Sequence, residues 1–121
     1  GTKFADVAAK KSIEPGADKS GGSLANGDQP CQALANLQTS FDKDFMIGAV
    51  AAKPGIPTGP VKSSFGYHII LSTPFADVKD SVATVVAENP GTTLLAGYMS
   101  KTDIKVNSTY GVWNGATATI S

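Results

Sequence analysis

The chain has 121 residues, a hydrophobic content of 41% and one cysteine, which predicts one compact domain, or a domain with an appendage. Ten basic and ten acidic residues give a formal net charge of zero, which argues against nucleic acid as a partner because phosphate binding needs a concentrated basic field. No apolar run is long enough for a membrane span, and no signal peptide is expected ahead of Phe4. Because Cys31 is the one cysteine of the sequence, an intrachain disulfide and a cysteine-based zinc site are excluded.

The first half of the chain predicts helices separated by a polar loop. Apolar residues at helical spacing indicate a short helix over Phe4–Lys11. Residues 12–26 are rich in Gly, Ser and Asp and predict a loop. A short helical turn is expected over residues 30–37, and a longer helix over residues 41–52 that ends before a Pro-Gly pair.

The second half begins with two runs that predict an antiparallel hairpin, Thr58–Ser63 and residues 66–72. Valines on one face of Phe75–Glu88 predict an amphipathic helix, and residues 92–101 predict another short helix. Residues 103–107 and 117–120 alternate apolar and polar side chains, as half-buried strands do.

Several motifs along residues 4–72 resemble the parvulin family of peptidyl-prolyl cis/trans isomerases. The most specific is the hairpin, which reads Gly-Pro-Val-Lys-Ser-Ser-Phe-Gly-Tyr-His-Ile-Ile over residues 59–70. The others are a Ser-Ile-Glu loop at residues 12–14, a Gly-Gly-Ser-Leu-Ala loop at residues 21–25 and an aromatic-bearing helix over residues 41–50. The resemblance implies an α+β fold, with a small antiparallel sheet flanked by helices, and a parvulin-like domain over residues 1–73.

The C-terminal segment, residues 74–121, carries a second resemblance. Residues 103–113 read Asp-Ile-Lys-Val-Asn-Ser-Thr-Tyr-Gly-Val-Trp, which is similar to the element after the parvulin domain in bacterial extracytoplasmic foldases of the SurA/PrsA type. This implies a helix-and-strand appendage. It also implies an extracytoplasmic protein, either secreted, periplasmic or lipid-anchored.

The chain departs from the family pattern in three places. The family begins with a strand bearing a His-Ile-Leu motif and a long helix, both of which belong N-terminal to Phe4, so the domain is expected to be N-terminally incomplete. The family's Asp or Cys in the catalytic loop is Glu14 here. The connection between Leu24 and Phe41 is longer than in short parvulins.

The resemblance implies an apolar pocket for a proline ring, lined by Leu24, Phe41 and Phe45. His68, Ser63 and Glu14 are the candidate catalytic residues, with His68 and Ser63 in a hydrogen-bond network and Glu14 near the bound peptide. The implied partners are unfolded or Pro-containing polypeptides. Neither a metal nor a cofactor is expected, because rotation about an amide requires no covalent chemistry.

Each candidate residue also has a structural interpretation. Phe41 and Phe45 could be core packing, His68 a buried structural histidine, Ser63 an exposed hairpin residue and Glu14 a solvated loop carboxylate. Two other functions therefore stay open: a peptide-binding chaperone domain without catalysis, and a structural surface-protein module.

Two structural expectations follow. Leu24, Phe41, Phe45 and His68 should converge on one concave site. A strand should also fill the place of the absent N-terminal one beside the hairpin, because unpaired buried backbone groups are costly. Its source would be residues 103–107, residues 117–120, a second copy in a strand-exchanged dimer, or an upstream segment.

Overall fold

The computed structural model describes residues 1–25 and 27–121, so Asn26, the last residue of the predicted loop, lies outside the described residues. Helices surround two small antiparallel sheets, and the predicted α+β fold class is confirmed. The elements in chain order are α1 (Phe4–Lys11), α2 (Ala17–Ser20), α3 (Leu34–Ser40), α4 (Lys43–Ala51), β1 (Thr58–Ser63), β2 (Gly66–Ile70), α5 (Phe75–Glu88), α6 (Pro90–Lys101), β3 (Trp113–Asn114) and β4 (Thr119–Ile120).

The predicted hairpin forms, with Val61 opposite His68 and Ser63 opposite Gly66. The register is irregular between Thr58 and Val61, where Gly59 has a φ of 140°. A Cβ at Gly59 would lie 2.6 Å from the carbonyl oxygen of His68. Only glycine therefore lets β1 pass this point and still keep the partner strand in place.

Helix α4 packs on the hairpin, chiefly against β1. Met46, in the middle of α4, is 2% exposed. Gly48 allows the close approach, since a Cβ there would lie 2.6 Å and 2.7 Å from the two γ carbons of Val61. The short distance between the helix and the hairpin therefore requires glycine at position 48.

The N-terminal helix α1 packs on α2 and on the Gly-Gly turn that follows it. A Cβ at Gly21 would lie 2.8 Å from the Cβ of Ala5, and one at Gly22 would lie 3.0 Å from the Cβ of Ala8. Ala17, the first residue of α2, is 3% exposed. The glycine pair therefore serves to bring the loop close to α1.

The C-terminal segment packs on the N-terminal part, since α6, which also contacts α5 of its own segment, contacts α3. The Lys101 ammonium donates to the carbonyl of Val50 at 3.0 Å, and the Gln38 amide donates to the carbonyls of Gly115 and Ala116 at 3.1 Å and 3.0 Å. None of the helices in residues 1–25 and 27–121 is long and apolar enough to cross a membrane.

Three expectations about the elements are corrected. The helix expected over residues 41–52 forms as α4 but begins only at Lys43, because Phe41 and Asp42 adopt extended backbone, and the helical turn expected over residues 30–37 is α3, Leu34–Ser40. A short helix, α2, interrupts the loop expected over residues 12–26. Residues 103–107 form no strand, although Ile104 and Val106 are half-buried and their neighbours exposed, as the alternation predicted.

The intrachain sources expected for the strand beside the hairpin are also wrong. The predicted strand over residues 117–120 is reduced to β4, which pairs with Trp113–Asn114 and lies in a separate sheet. Residues 103–107 pair with no strand in the described part of the chain. Short β4 takes the partner nearest in sequence because the loop that joins it to β3 is short and closes at little entropic cost.

Candidate functional site

The aromatic side of the site is built where α3 ends and α4 begins. Phe41 follows α3 in extended backbone, and Phe45 lies in the first turn of α4. Their rings stack with centroids 5.5 Å apart and planes inclined by 24°. The predicted pairing of these rings is therefore present, although it arises from the bend between two helices and not from one helix face.

The polar side of the site is built on the hairpin. Ser63, the last residue of β1, is 8% exposed, so the predicted alternative of an exposed hairpin serine does not hold. Its Oγ accepts from the Phe65 amide at 3.1 Å and lies 2.7 Å from Nε2 of His68. The imidazole tautomer sets the direction of this second bond, because a protonated Nε2 donates to Oγ and a bare Nε2 accepts from it.

The two sides meet through Phe45 and His68. Their ring centroids are 5.2 Å apart and their planes cross at 78°, an edge-to-face contact. Phe41, Phe45, Ser63 and His68 thus form one continuous group, hereafter the ring cluster. It places stacked aromatic carbon beside a half-buried imidazole that is held by a buried hydroxyl, which suits a ligand with an apolar ring next to a polar group.

The sequence reasoning missed Asp42, which joins the two sides. Its Oδ1 accepts from the amides of Asp44 and Phe45 at 2.9 Å and 3.2 Å, which caps α4. Its Oδ2 accepts from the Ser64 hydroxyl at 2.5 Å and the Ser64 amide at 3.4 Å. The hydrogen bond from the Ser64 hydroxyl is the main reason that the pKa of Asp42 lies below its ordinary value. An Asp just before the apolar run of α4 is an N-cap signal that could have been recognised.

Glu14 and Leu24 line the same depression. It is open and is bounded by the α1–α2 loop, α2 and the segment after it. Leu24 is 45% exposed, and its carbonyl accepts from the Gln32 amide at 3.0 Å. The contacts that define the ring cluster do not include either residue. Their parts in the site stay predictions.

Within residues 1–25 and 27–121, no three His, Cys, Asp or Glu side chains are grouped so that they could hold a metal ion. Cys31 is half-buried and lies with Gln32 and Asn36 on the wall of a depression next to α5. Because His68 is the one histidine of the sequence, the ring cluster is the one place among the described residues where an imidazole contacts an aromatic ring.

Comparison with known proteins gives a family match to the rotamase family of PPIC-type PPIase domains over residues 1–73. The foldase protein PrsA of Clostridium kluyveri is 44% identical over 71 residues, which is 58% of this chain and 18% of that protein. Cbf2 of Campylobacter jejuni, named provisionally as a peptidyl-prolyl cis-trans isomerase, is 43% identical over 70 residues, 57% of this chain and 22% of that protein. The chain thus spans about one fifth of the length of these relatives. No solved structure matches it significantly.

Proposed function

Because the chain belongs to the PPIC-type rotamase family, we propose that it catalyses the cis–trans isomerisation of Xaa-Pro peptide bonds in polypeptides at the ring cluster. The edge-to-face contact of Phe45 with His68 carries this proposal, since it brings an apolar surface against a hydrogen-bonding group. The reaction requires both. It involves neither a covalent intermediate nor a metal.

The physical problem of the reaction is a rotation barrier of roughly 18–20 kcal/mol about the peptide bond. The planar amide is more polar than the twisted one because resonance separates charge in it. A site of aromatic carbon that grips the proline ring therefore favours the twisted state. In this proposal the proline ring lies on Phe41 and Phe45, whose stacked rings supply that surface.

His68 and Ser63 would orient the peptide next to those rings. Their 2.7 Å hydrogen bond fixes the imidazole plane, so that the ring presents a constant edge to the substrate. Leu24 would extend the apolar wall and Glu14 would approach the substrate carbonyl, in which case the polypeptide reaches from the ring cluster to the depression that these residues line.

A protease-coupled assay on an Xaa-Pro tetrapeptide tests the proposal. Phe45→Ala should lower kcat/KM about tenfold, because losing roughly 1.5 kcal/mol of aromatic contact with the twisted state corresponds to that factor. Phe75→Ala is the matched control, since Phe75 is 66% exposed on α5 and outside the cluster. Equal activity of the two variants would refute the assignment of the pocket.

A chaperone domain that binds peptides without catalysis is the second candidate, because no contact of the ring cluster includes Glu14, the candidate loop acid. We therefore expect weak isomerase activity from this chain by itself. Binding of a Pro-containing peptide without turnover would support the second candidate. Rates near those of an intact parvulin would exclude it, and a structural surface module predicts no affinity for such peptides.

The sheet itself is proposed to be completed by another strand. Among the described residues β2 pairs with β1 alone, so its other edge presents unpaired N–H and C=O groups. A second copy, in a strand-exchanged dimer, or upstream sequence of a longer protein would supply the strand. Light scattering separates these sources, and a monomer with a rapidly exchanging β2 edge would contradict a strand supplied by a second copy.

The proposed clients are extracytoplasmic polypeptides, with residues 74–121 forming a foldase-type appendage to the domain of residues 1–73. The foldase names of the relatives and the Asp-Ile-Lys-Val-Asn element support this. Folding of a reduced, Pro-containing secreted protein, followed with and without the chain, tests it. No acceleration and no suppression of aggregation would count against a foldase role.

A further inference from the structure

We propose that Asp42 is a positioning residue that sets the separation between the two sides of the ring cluster. This inference rests on the proposed function, because it assigns Asp42 a part in the same site. Asp42 lies next to Phe41 in sequence, and Ser64 lies next to Ser63. The bridge between Asp42 and Ser64 therefore joins the chain at the points where the aromatic and polar sides begin.

The carboxylate divides its two oxygens between these sides. Oδ1 takes both of its hydrogen bonds from the first turn of α4, including the amide of Phe45 itself. Oδ2 takes both of its hydrogen bonds from Ser64, in the turn between β1 and β2. A short hydroxyl-to-carboxylate bond is among the stronger hydrogen bonds in proteins. One rigid planar group thus fixes the turn relative to the start of the helix.

The consequence for the site is geometric. A second close approach of α4 to the hairpin is Gly48 on Val61; Gly48 lies about one helical turn after Phe45, and Val61 lies opposite His68. That contact sets how closely the helix and hairpin approach but leaves the end near the turn free to splay. The Asp42 bridge closes that end, and so it holds the ring of Phe45 at 5.2 Å from the ring of His68.

Two variants remove the short hydroxyl bond of the bridge and keep the helix cap. Asp42→Ser retains a capping oxygen for α4 but is too short to reach Ser64. Ser64→Ala removes the hydroxyl and leaves Asp42 and its cap intact. Asp44→Ser is the matched control, because Asp44 is an exposed carboxylate in the same helical turn whose side chain accepts no hydrogen bond from the described residues. Ser64→Thr should retain the hydroxyl and with it the wild-type behaviour.

The first measurement is the NMR signal of the His68 ring, which is unambiguous because the chain contains one histidine. Both bridge variants should shift it toward the value of a free imidazole, since the edge of the ring moves away from Phe45. Asp44→Ser and Ser64→Thr should leave it unchanged. An unshifted His68 signal in both folded bridge variants would overturn the proposal.

The second measurement is the tetrapeptide assay. Each bridge variant should lower kcat/KM about tenfold, as expected for a displacement well under 1 Å. Most of the loss should lie in kcat, because the stacked rings can still bind proline. The double variant should lose no more than Asp42→Ser, since that variant by itself already removes both hydrogen bonds from Ser64, and additive losses would overturn the proposal. An inactive wild-type chain would count against the isomerase function alone, while the His68 signal would still decide the role of Asp42.

Discussion

Replacing Gly48 by alanine tests how strongly the contact between α4 and β1 supports the site. Ordinary carbon–carbon contacts are about 3.5–4.0 Å. The new Cβ would lie 2.6 Å and 2.7 Å from the γ carbons of Val61 and 3.2 Å from its Cβ. Because both branches of Val61 are too close, no rotation of that side chain removes the overlap, and the helix must move away from the strand by about 1 Å.

The magnitude follows from two opposing effects. Overpacking of this kind costs about 1–3 kcal/mol. Replacing a glycine in the middle of a helix by alanine returns about 0.8–1.0 kcal/mol of helix propensity. We expect a net loss of about 1 kcal/mol in the free energy of unfolding.

Gly97→Ala supplies the matched control. Gly97 lies within α6, and a Cβ there would meet nothing within 4 Å. That variant keeps the propensity gain without the overlap, and it should be stabilised by somewhat less than 1 kcal/mol. Urea unfolding of both variants should therefore separate them by about 2 kcal/mol. Equal stability would show that α4 does not pack on β1 as closely as the geometry indicates. Val61→Ala should restore part of the loss caused by Gly48→Ala.

Three further outcomes are expected. The folded pKa of Asp42 lies below its ordinary value of 3.8, so the stability that the carboxylate contributes should be complete above pH 3.8 and be lost as the pH falls through the folded pKa. The difference in unfolding free energy between wild type and Asp42→Asn, measured by urea unfolding from pH 7 to pH 3, should therefore shrink toward low pH. A difference that stays constant would contradict this expectation. Gly21→Ala should destabilise the protein more than Gly16→Ala. Both glycines have positive φ, but only at Gly21 would a Cβ come within 2.8 Å of Ala5. Thermal unfolding of the two variants measures the difference, and equal losses would mean that backbone strain alone causes them. His68→Ala should lower kcat in the tetrapeptide assay more than it raises KM, and a change confined to KM would argue for a purely binding role.

The elements predictable from sequence are those whose signals are local. Helix α5 has the predicted bounds, since its valines repeat at helical spacing and Pro90 follows closely. The hairpin was predictable because a short turn separates two runs that fit strands, and the contact of His68 with Ser63 follows from their places on its two facing strands. The spacing of four residues also predicted that Phe41 and Phe45 lie together, but their rings meet where α3 ends and α4 begins and not on one helix face.

The elements that were missed depend on competition between local signals or on distant partners. Helical spacing begins at Phe41, so periodicity alone cannot show that Asp42 caps α4 and that the helix starts two residues later, at Lys43. The alternation in residues 103–107 predicted correctly which side chains are half-buried. It could not provide a strand, because a strand requires a neighbour and no local pattern specifies one.

The small size of the core explains why such local bonds matter for this site. Among the described residues the buried hydrophobic side chains are Ala17 and Met46 alone, one in each half of the parvulin-like part. A core of this size cannot hold α4 and the hairpin in one arrangement by burial alone. Their relative position must therefore come from specific contacts, namely the fit of Gly48 on Val61 at one end and the carboxylate bridge from Asp42 to Ser64 at the other. The geometry of Phe45 and His68 between these two contacts is consequently more sensitive to the loss of one hydrogen bond than it would be over a larger core.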